Sequence, residues 1–541
     1  MPKYSIGIDF GTLSARAILV DMSNGKICAE AEYSYPHGVM DKALPDGTLL
    51  ERNSAYQHPK DYLDAAENTI KNVVKDSGVC TDDILGLGID FTACTVLPID
   101  ESGTPLCFYE EFKSEPHAYV KLWKHHSAQT EADYITRIAE ENKQEWLKLY
   151  GGKVSSEWLF PKMLETLNKA PKVFESTTRF IEAADWVVLM LTGKEIHSSC
   201  MAGYKGMWNA KDGYPSAKFL EKVNPRFKNI IGTKVSEKVL PTGSKAGEIN
   251  ENGHKLVGLN VGTTVAVPII DAHSALPAAG IVSDSKLMAI IGTSTCHIVM
   301  SDETKTVSGI CGMVQDGIIP GYVAYEAGQA AVGDIFAWFT ENCVPCNYAD
   351  EAKKTNLSLF DYLTKKAERL PIGANGIIAL DWWNGNRTPY ADYDLSGMIC
   401  GLTLRTKPEE IYRALIESTA FGTKRILDLY INSGVNVNEI YASGGIAQKN
   451  TFLMQVYADV CGMKIKVPTG RQAGAKGGAI LAACACGHYS TFGEAADAMA
   501  DKNFVEYIPN LENAEIYNKI YAEYCELSEY FAKRKRRENE E

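Results

Sequence analysis

Short apolar runs separated by glycine turns recur along the chain. In the first half, the run at 4–8 is followed by a turn at 11–14 with the sequence Gly-Thr-Leu-Ser. A second apolar run at 16–20 and a third at 27–35 come after that turn. Apolar runs of this length, bounded by turn residues, are typical of buried strands. The pattern predicts a β-meander that opens on a glycine turn.

The second half repeats this arrangement. The apolar run at 287–291 leads into the turn 292–295, Gly-Thr-Ser-Thr, and then into a further apolar run at 298–300. Two units of strand, Gly-Thr turn and strand, about one domain apart, indicate an internal duplication. A chance match of two hairpins is the alternative.

Each half also has a buried strand that ends in residues suited to contact a ligand. The run at 84–89 ends in Asp90, and the run at 440–443 ends in Gly444 and Gly445. In open α/β sheets, ligands bind beyond the carboxyl ends of the strands. The pattern therefore predicts an α/β fold of two related halves, each with polar or glycine chemistry at a strand end.

Local signals predict two helices in the second half. Residues 406–409, Thr-Lys-Pro-Glu, form a capping-box pattern with proline in the first turn, and a face of apolar and small residues continues to Ile426. The segment 470–479 contains glycines and Lys476 that suggest a P-loop, but it lacks the required Gly-Lys-Ser/Thr sequence. We predict instead a turn that enters a small-residue helix.

Length and charge favour two large domains and a small-molecule partner. A single core rarely grows beyond ~250–300 residues, so a chain of 541 residues is long enough for two. We place the boundary between residues 270 and 271, which gives domains 1–270 and 271–541. The formal charge of −13 argues against a general nucleic-acid surface or an anionic membrane surface.

Cysteine usage and hydropathy predict a cytoplasmic protein. The 14 cysteines lack the spacing of a secreted disulfide scaffold, and no run approaches the ~20 apolar residues of a membrane span. The N-terminal segment lacks the apolar core of a signal peptide, because Asp9 interrupts its first short run. No coiled-coil pattern specifies the oligomeric state, for which a homodimer is one candidate.

The two glycine turns are suited to hold phosphate groups. Each offers backbone N–H donors beside Thr and Ser hydroxyls without bulky side chains. If the turns face one another across a cleft, they would hold the β- and γ-phosphates of a nucleotide from two sides. Asp9 would then hold Mg²⁺ through water, because magnesium prefers oxygen ligands and retains several waters. The alternative is two ordinary hairpin turns with a capping aspartate.

With these features in order, the chain resembles the FGGY carbohydrate kinases over nearly its whole length. The neighbourhoods of Asp90, Lys205 and Trp382 favour the members that act on L-ribulose over those that act on glycerol or xylulose. The Phe-Gly-Gly-Tyr string of the family name is absent, and the stretch at 396–402 is only a loose fit to it. The motifs that carry the resemblance are Gly-Ile-Asp-Phe-Gly-Thr-Leu-Ser-Ala-Arg at 7–16, Asp-Phe-Thr-Ala-Cys-Thr at 90–95, Gly-Tyr-Lys-Gly-Met-Trp at 203–208, Asp-Ala-His at 271–273, Gly-Thr-Ser at 292–294, Asp-Trp-Trp-Asn-Gly-Asn-Arg at 381–387, Ser-Gly-Met-Ile-Cys-Gly-Leu at 396–402 and Ser-Gly-Gly at 443–445.

The resemblance implies two ribonuclease-H-like domains of the actin-like ATPase type, with ATP bound in a central cleft. It also implies a site. Asp271 would be the catalytic base and would bind the sugar together with the backbone of Ala93, Lys205 and Glu326. The residues implied on the nucleotide side are Asp9, Thr12, Ser14 and Arg16 in the first phosphate region, Gly292, Thr293 and Ser294 in the second, and Gly333, Gly444, Gly445, Gln448 and Asn450 beside the adenosine.

The implied reaction is the Mg²⁺- and ATP-dependent phosphorylation of L-ribulose to L-ribulose 5-phosphate, a step of L-arabinose catabolism. A carboxylate suffices as base, because the transition state of phosphoryl transfer is loose and the proton moves late. His273 has no assigned role, since it would either orient Asp271 or cap a helix. Trp382 and Trp383 would either stack beside the site or belong to the core.

Two classes of alternative stay open. The first is another pentulose or pentitol kinase of the same family, acting on xylulose, D-ribulose or ribitol. The second is a non-catalytic actin-like protein, such as an ATP-driven chaperone or a sugar sensor. The second is disfavoured because Asp271 occupies the position of the base and the sequence carries no attached DNA-binding or peptide-binding segment.

Overall fold

The structure, a computed structural model, describes residues 2–540, with side chains through residue 534. The chain divides into two compact units that interleave along the sequence. The boundary predicted between residues 270 and 271 divides the sequence into two consecutive domains, whereas the compact units are each made of several segments. That boundary stays a prediction. Unit one comprises Met1–Ser283, Met313–Ala324 and Gly470–Lys502, and unit two comprises Asp284–Gly312, Tyr325–Thr469 and Asn503–Glu541.

Strands and helices alternate along most of the chain. No helix among the described residues is both long and apolar enough to span a bilayer. The strands are β1 (Tyr4–Phe10), β2 (Ser14–Asp21), β3 (Ile27–Ser34), β4 (Tyr56–Gln57), β5 (Ile84–Phe91), β6 (Val96–Ile99), β7 (Val120–Lys121), β8 (Arg179–Glu182), β9 (His197–Ser198), β10 (Val239–Leu240), β11 (Lys245–Glu248), β12 (Thr264–Ala266), β13 (Ile269–Ile270), β14 (Lys286–Ile291), β15 (Thr295–Ser301), β16 (Gly312–Gln315), β17 (Val323–Gln329), β18 (Ile378–Leu380), β19 (Met398–Cys400), β20 (Glu439–Ser443), β21 (Ile465–Pro468) and β22 (Phe504–Tyr507). The α-helices are α1 (Pro59–Ser77), α2 (Gln129–Glu141), α3 (Leu159–Lys169), α4 (Pro171–Ser176), α5 (Ala183–Thr192), α6 (Ser199–Lys205), α7 (Ala217–Val223), α8 (Ile230–Thr233), α9 (Glu251–Val257), α10 (Asp271–Ala278), α11 (Gly333–Asn342), α12 (Cys346–Lys354), α13 (Leu359–Glu368), α14 (Pro408–Asn432), α15 (Gly445–Lys449), α16 (Thr451–Cys461), α17 (Ala473–Ala485), α18 (Phe492–Met499) and α19 (Leu511–Glu540).

The main sheet of unit one has the strand order β11-β12-β5-β1-β2-β3, and β13 pairs with the carboxyl end of β5. Strands β1, β2 and β3 are antiparallel neighbours, which confirms the predicted β-meander. β5 runs parallel to β1, with Asp90 opposite Asp9. The strand predicted at 84–89 continues through Phe91, so Asp90 lies within the strand and not after it.

Unit two contains a sheet in which β17, β15, β14, β20, β21 and β22 follow one another. β14 and β15 form the second predicted hairpin, and β20 and β21 continue the sheet in parallel. The order β15-β14-β20-β21 repeats the order β2-β1-β5-β12 of unit one. The repeat confirms the predicted duplication and the α/β fold of two ribonuclease-H-like halves.

Both helices predicted from local signals are confirmed. α14 begins at Pro408, but the capping pair lies one residue later than the predicted Thr406 and Glu409: the Glu410 carboxylate accepts a hydrogen bond from the Lys407 backbone N–H at 2.7 Å. That bond satisfies one of the donors that a helix leaves unpaired at its start. α17 begins at Ala473, within the segment predicted as a turn entering a small-residue helix.

Helix α17 approaches β1 and β5 as closely as glycine alone permits. A Cβ atom on Gly7 would lie 1.7 Å from the carbonyl oxygen of Ala475. A Cβ atom on Gly88 would lie 1.9 Å from the carbonyl oxygen of Gly478. Protein interiors are close-packed, so neither position can accept a side chain without moving the helix.

A smaller sheet of order β4-β7-β6-β8 also belongs to unit one. β6 follows the turn at 92–95, and its Val96 pairs with Lys121 of β7 and with Glu182 of β8. Helix α3 contributes residues such as Phe160 to the apolar cluster that also contains Val96. The small sheet and α3 thus surround the turn that leaves β5.

We predict that Gly88→Ala lowers the midpoint of urea denaturation. Overpacking of a core costs about 1–3 kcal/mol, and the cost is at the upper end or above it when the opposing atom is backbone. Gly493→Ala is the matched control, because the atom nearest to an added Cβ there is the Thr491 hydroxyl oxygen at 3.8 Å. A wild-type midpoint for Gly88→Ala would contradict the close approach of α17.

Candidate active site

Three carboxylates gather at the carboxyl ends of parallel strands in unit one. Asp9 and Asp90 lie opposite each other on β1 and β5. Asp271 directly follows β13, in which Ile270 pairs with Phe91 of β5, and it is the first residue of α10. Its Oδ1 accepts a hydrogen bond from the Ala272 backbone N–H at 2.7 Å, which orients the carboxylate.

The N-terminus of α17 lies against this carboxylate group. A Cβ atom on Gly474 would lie 3.0 Å from both Asp9 Cγ and Asp90 Oδ1. Ser274 of α10 donates a hydrogen bond to the Gly474 carbonyl oxygen at 2.7 Å. The N-terminal end of a helix carries partial positive charge, so α17 stabilises negative charge at this position.

Asp90 is the most buried of the three carboxylates. Its side chain is inaccessible to solvent, and neither carboxyl oxygen has a hydrogen-bond partner within ordinary geometry in the described part of the chain. Burial, followed by the charges of Asp9 and Asp271, raises the pKa of Asp90 well above its usual range. Burial also raises the pKa of Asp9, and hydrogen bonding with the neighbouring Asp90 carboxyl group, followed by the charge of Arg16, opposes that rise. The pair therefore favours a proton or a bound cation.

Two side chains that the sequence analysis did not single out hold the first glycine turn. Gly11 N–H donates to the Ser14 carbonyl oxygen at 3.0 Å, which closes the turn. Gln57 Nε2 donates to the Thr12 carbonyl oxygen at 2.7 Å, and Trp123 Nε1 donates to the Thr12 hydroxyl at 3.2 Å. The backbone and hydroxyl of Thr12 are thus fixed from two directions.

Glu32 binds two of the residues predicted for the first phosphate region. Ser14 Oγ and Arg16 Nη2 each donate to Glu32 Oε1 at 2.9 Å. These two bonds account for the lowered pKa of Glu32, with the Ser14 bond as the larger cause. Ser14 and Arg16 therefore share one partner in this structure.

Three of the four residues predicted for the sugar belong to unit one. Ala93 lies in the turn between β5 and β6, Lys205 is the last residue of α6, and Asp271 begins α10. Burial raises the pKa of Glu182 to about 7, while the charges of Lys162 and Lys205 lower it. Glu182 also accepts a hydrogen bond from the Thr95 N–H, in the turn that carries Ala93.

His273 contacts the helix that carries Lys205. Its Nδ1 lies 3.1 Å from Cys200 Sγ, and its ring centroid lies 4.5 Å from that of Tyr204. Both partners belong to α6. His273 is completely buried, so these contacts join α10, which begins at Asp271, to α6.

Glu326 and the second glycine turn belong to unit two. Glu326 lies buried in β17, where its carbonyl oxygen accepts a hydrogen bond from the Cys311 N–H at 2.7 Å. In the turn, Thr293 carbonyl oxygen accepts from Val332 N–H at 2.7 Å, and Gly292 carbonyl oxygen accepts from Gly333 N–H at 3.0 Å. The turn is thereby joined to the start of α11.

Glycine is required at the next strand end in unit two. Gly444 has φ +100°, and a Cβ atom there would lie 2.3 Å from the Ile291 carbonyl oxygen. A Cβ atom on Gly445, at the start of α15, would meet nothing within 4 Å. Gln448 also lies on α15. The Asn450 side chain accepts a hydrogen bond from the Leu453 N–H at 3.0 Å and so caps α16.

The tryptophan pair proves to be divided between core and surface packing. Trp382 is buried, which agrees with the core alternative. Trp383 packs on Gly397, where an added Cβ would lie 2.3 Å from its ring, and its centroid lies 5.4 Å from that of Trp338. The loosely matching stretch at 396–402 therefore serves packing in unit two.

The residues that the sequence analysis missed are polar side chains that support the turns. Lys162 had a recognisable signal, because it is a lone cation in the apolar segment Trp-Leu-Phe-Pro-Lys-Met-Leu. A cation in such a run must find buried acceptors. Gln57, Trp123 and Glu182 had no comparable signal, since their partners lie 45 to 111 residues away.

Two family models together match most of the chain. The model of the FGGY family of carbohydrate kinases, N-terminal domain, matches residues 4–277, and that of the C-terminal domain matches residues 287–486. The predicted resemblance is confirmed over these ranges.

Proteins named ribulokinase are similar to the chain over nearly its full length. The protein of Bacillus licheniformis is 49% identical over 526 residues, which cover 96% of this chain and 95% of that protein. The protein of Geobacillus thermodenitrificans is 47% identical over 536 residues, with coverages of 98% and 95%. The protein of Mycolicibacterium smegmatis is 43% identical, with coverages of 98% and 94%.

Solved structures share the fold at lower identity. Gluconate kinase from Lactobacillus acidophilus gives a TM-score of 0.81 at 20% identity and covers 98% of this chain and 99% of that one. Xylulose kinase from Rhodospirillum rubrum gives a TM-score of 0.80 at 21% identity, with coverages of 98% and 100%. On the matched domains and the full-length relatives, this chain belongs to the FGGY family of carbohydrate kinases.

Proposed function

We propose that this protein transfers the γ-phosphoryl group of ATP to the terminal hydroxyl of L-ribulose and so forms L-ribulose 5-phosphate. The observation that carries the proposal is the gathering of Asp9, Asp90 and Asp271 at the N-terminus of α17. That group offers a base and a cation site at the strand ends of a kinase fold. The full-length similarity to proteins named ribulokinase supports L-ribulose as the sugar.

Asp271 acts as the base. Phosphoryl transfer requires an aligned hydroxyl and a group that accepts its proton late in the reaction. The bond from Ala272 N–H fixes Asp271 Oδ1, and the start of α10 lies beside the other two carboxylates. The orientation of Asp271 at the start of α10 contributes more to the rate than its basicity, because proton transfer has advanced little in a loose transition state.

The carboxylates fit a magnesium ion. Asp90 has two buried oxygens without ordinary hydrogen bonds among the described residues, and Asp9 lies opposite it. Oxygen donors with excess negative charge are the chemistry that Mg²⁺ prefers. Asp9 would hold the ion through water, and ionised Asp90 would add negative charge to the site. When bound, the ion neutralises charge on the transferred phosphoryl group.

The two glycine turns contact the phosphates in this proposal. In unit one, Thr12, Ser14 and Arg16 form the first phosphate region, and binding would require Ser14 and Arg16 to exchange their shared contact with Glu32. In unit two, the second phosphate region consists of the turn at 292–294, which offers backbone N–H groups and two hydroxyls. Both turns are closed by backbone hydrogen bonds, so their donors are preorganised.

The adenosine contacts proposed for unit two depend on small residues. Gly445 leaves open space at the start of α15, which suits the approach of a flat base. Gln448 lies on the same helix, and Gly333 begins α11. Asn450 would contribute only through atoms that its helix cap does not occupy.

The sugar contacts proposed are the backbone of Ala93 and the side chains of Lys205, Asp271 and Glu326. A cation and carboxylates together match the donors and acceptors of a polyol. Sites that pair a hydroxyl strongly reject sugars that lack it, because the buried partner is left unpaired. A cytoplasmic location and a homodimer are further proposals that rest on the sequence.

We expect L-ribulose to give the highest kcat/KM in a panel that includes D-ribulose, D-xylulose, ribitol and glycerol. A coupled assay of ADP formation at saturating ATP measures each value. Strong turnover of D-xylulose with none of L-ribulose would overturn the proposed sugar and favour another kinase of the family. ATP hydrolysis that no sugar accelerates would favour the non-catalytic alternative.

Asp271→Asn is expected to lower kcat by ~10²–10⁴, the usual contribution of a general base. The variant keeps the size of the side chain, and its fold is checked by circular dichroism and thermal denaturation. Asp212→Asn serves as control, because Asp212 is exposed on a turn of the same unit. Wild-type kcat in Asp271→Asn would exclude Asp271 as the base.

Asp9→Asn is expected to raise the Mg²⁺ concentration required for half-maximal velocity by at least about tenfold, the usual scale for groups that act on a metal through an outer shell. Binding of Mn²⁺ to the protein with ATP, followed by electron paramagnetic resonance, gives the second measurement. Unchanged Mn²⁺ affinity in this variant would contradict a role of Asp9 in metal binding.

A further inference from the structure

Two buried charged side chains hold the turn at 92–95, which carries Ala93. Lys162 of α3 is 1% exposed, and its Nζ donates to the carbonyl oxygens of Cys94, Leu122 at 2.9 Å and Lys121 at 3.3 Å. An ammonium group has three N–H donors, and three carbonyl acceptors match them. The Cys94 carbonyl is therefore fixed by a fully satisfied cation.

The second charged residue binds the N–H of the same peptide group. Glu182, which is 2% exposed, accepts a hydrogen bond from the Thr95 N–H through Oε2 at 3.0 Å. The hydroxyl groups of Thr92 and Thr95 lie 2.8 Å apart and bond to each other across the turn. Lys162 and Glu182 thus hold the carbonyl and the N–H of a single peptide group, the one that joins Cys94 to Thr95 directly after Ala93.

The backbone of this turn needs such support. Cys94 has φ +51°, in the left-handed region that residues other than glycine rarely adopt. Strained backbone of this kind costs stability and persists only where the surroundings hold it. Without the contacts at Cys94 and Thr95, the turn would relax and the backbone of Ala93 would rotate with it.

The same two residues connect the turn to other parts of the proposed site. The carbonyls of Lys121 and Leu122 directly precede Trp123, whose indole N–H donates to the Thr12 hydroxyl at 3.2 Å. Glu182 lies within the field of both Lys162 and Lys205. Lys162 therefore also holds the segment that leads to Trp123, and the charge of Lys205 acts on Glu182.

Burial of these two charged side chains costs stability, and a role in positioning the turn explains why they are buried there. A buried ammonium or carboxylate loses several kcal/mol of hydration, which good hydrogen bonds only offset, and an apolar side chain of equal size avoids that loss. Burial lowers the pKa of Lys162, and the nearby Cys94, Glu182 and Glu157 oppose the shift. What an apolar residue cannot supply is a fixed direction for the Cys94 carbonyl.

We propose that Lys162 and Glu182 are positioning residues that hold the 92–95 turn in the conformation that binds the sugar, and that they thereby determine the KM for the sugar. This inference rests on the proposed function, because it takes Ala93 as a sugar contact. Neither residue is among the proposed contacts to ATP or to the transferred group.

Lys162→Met, which keeps the length of the side chain and removes its donors, is expected to raise the KM for L-ribulose by at least about tenfold. Its kcat should fall as well, since a displacement of about 1 Å at the reacting hydroxyl can cost ~10² in rate. The KM for ATP should rise less than the KM for L-ribulose, because the proposed adenosine contacts and the second phosphate turn belong to unit two.

Lys169→Met is the matched control on the same helix. Lys169 pairs with Glu51 and Glu165 and does not contact the 92–95 turn. A purely structural contribution of Lys162 would lower the melting temperature and the yield of active protein but leave the sugar KM of the folded enzyme unchanged. An unchanged sugar KM in folded Lys162→Met overturns the inference.

Glu182→Gln keeps the test decisive if Lys162→Met does not fold. The amide oxygen still accepts from the Thr95 N–H, but in assays above the Glu182 pKa of about 7 the substitution removes the negative charge. A rise of about threefold to tenfold in sugar KM is therefore expected there, the scale of a weakened charged hydrogen bond. An unchanged KM in folded Glu182→Gln overturns the inference. If wild type does not use L-ribulose, the sugar proposal fails by itself, and the same variants are measured with the sugar that the panel identifies.

Discussion

The contact on which unit one depends is the close approach of helix α17 to strands β1 and β5. Gly7 and Gly88 carry no side chain where the carbonyl groups of Ala475 and Gly478 pass. The helix comes from a distant part of the sequence and would be excluded by any larger residue on that face. Because it packs so closely, its N-terminus ends beside Asp9. Core packing and the position of the site are therefore one constraint.

That position explains how adjacent buried carboxylates are tolerated. Two like charges without partners would be costly in the interior, and the positive end of α17 together with a proton or a cation offsets the cost. At the corresponding strand ends, unit two has glycine backbone in place of carboxylates. Gly292, Gly333 and Gly444 bring strand ends and helix starts into direct contact, and the Gly292 and Gly333 N–H groups donate to the Ser294 and Gly292 carbonyl oxygens. The repeated fold thus has carboxylates at the strand ends of unit one and closely packed glycine backbone at those of unit two.

The turns proposed to meet the substrates take their shape from buried polar side chains. Trp123 and Gln57 hold Thr12, while Lys162 and Glu182 hold the turn beyond β5. Such contacts define one geometry, because every alternative leaves a donor or acceptor unpaired inside the protein. Substrate contacts made through backbone atoms depend on this support as much as on the residues that touch the substrate.

The sequence by itself determined the two glycine-turn hairpins, the start of α14 at Pro408 and the helix after Gln472, because each depends on signals within a few residues. The family motifs added a list of site residues, but not their surroundings. Only the tertiary structure placed α17 in unit one and buried Asp90 inside β5 opposite Asp9. It also showed that Ser14 and Arg16 donate hydrogen bonds to Glu32. These outcomes depend on partners 16 to several hundred residues apart, and no local pattern specifies which distant backbone will pass closely enough to make the contact.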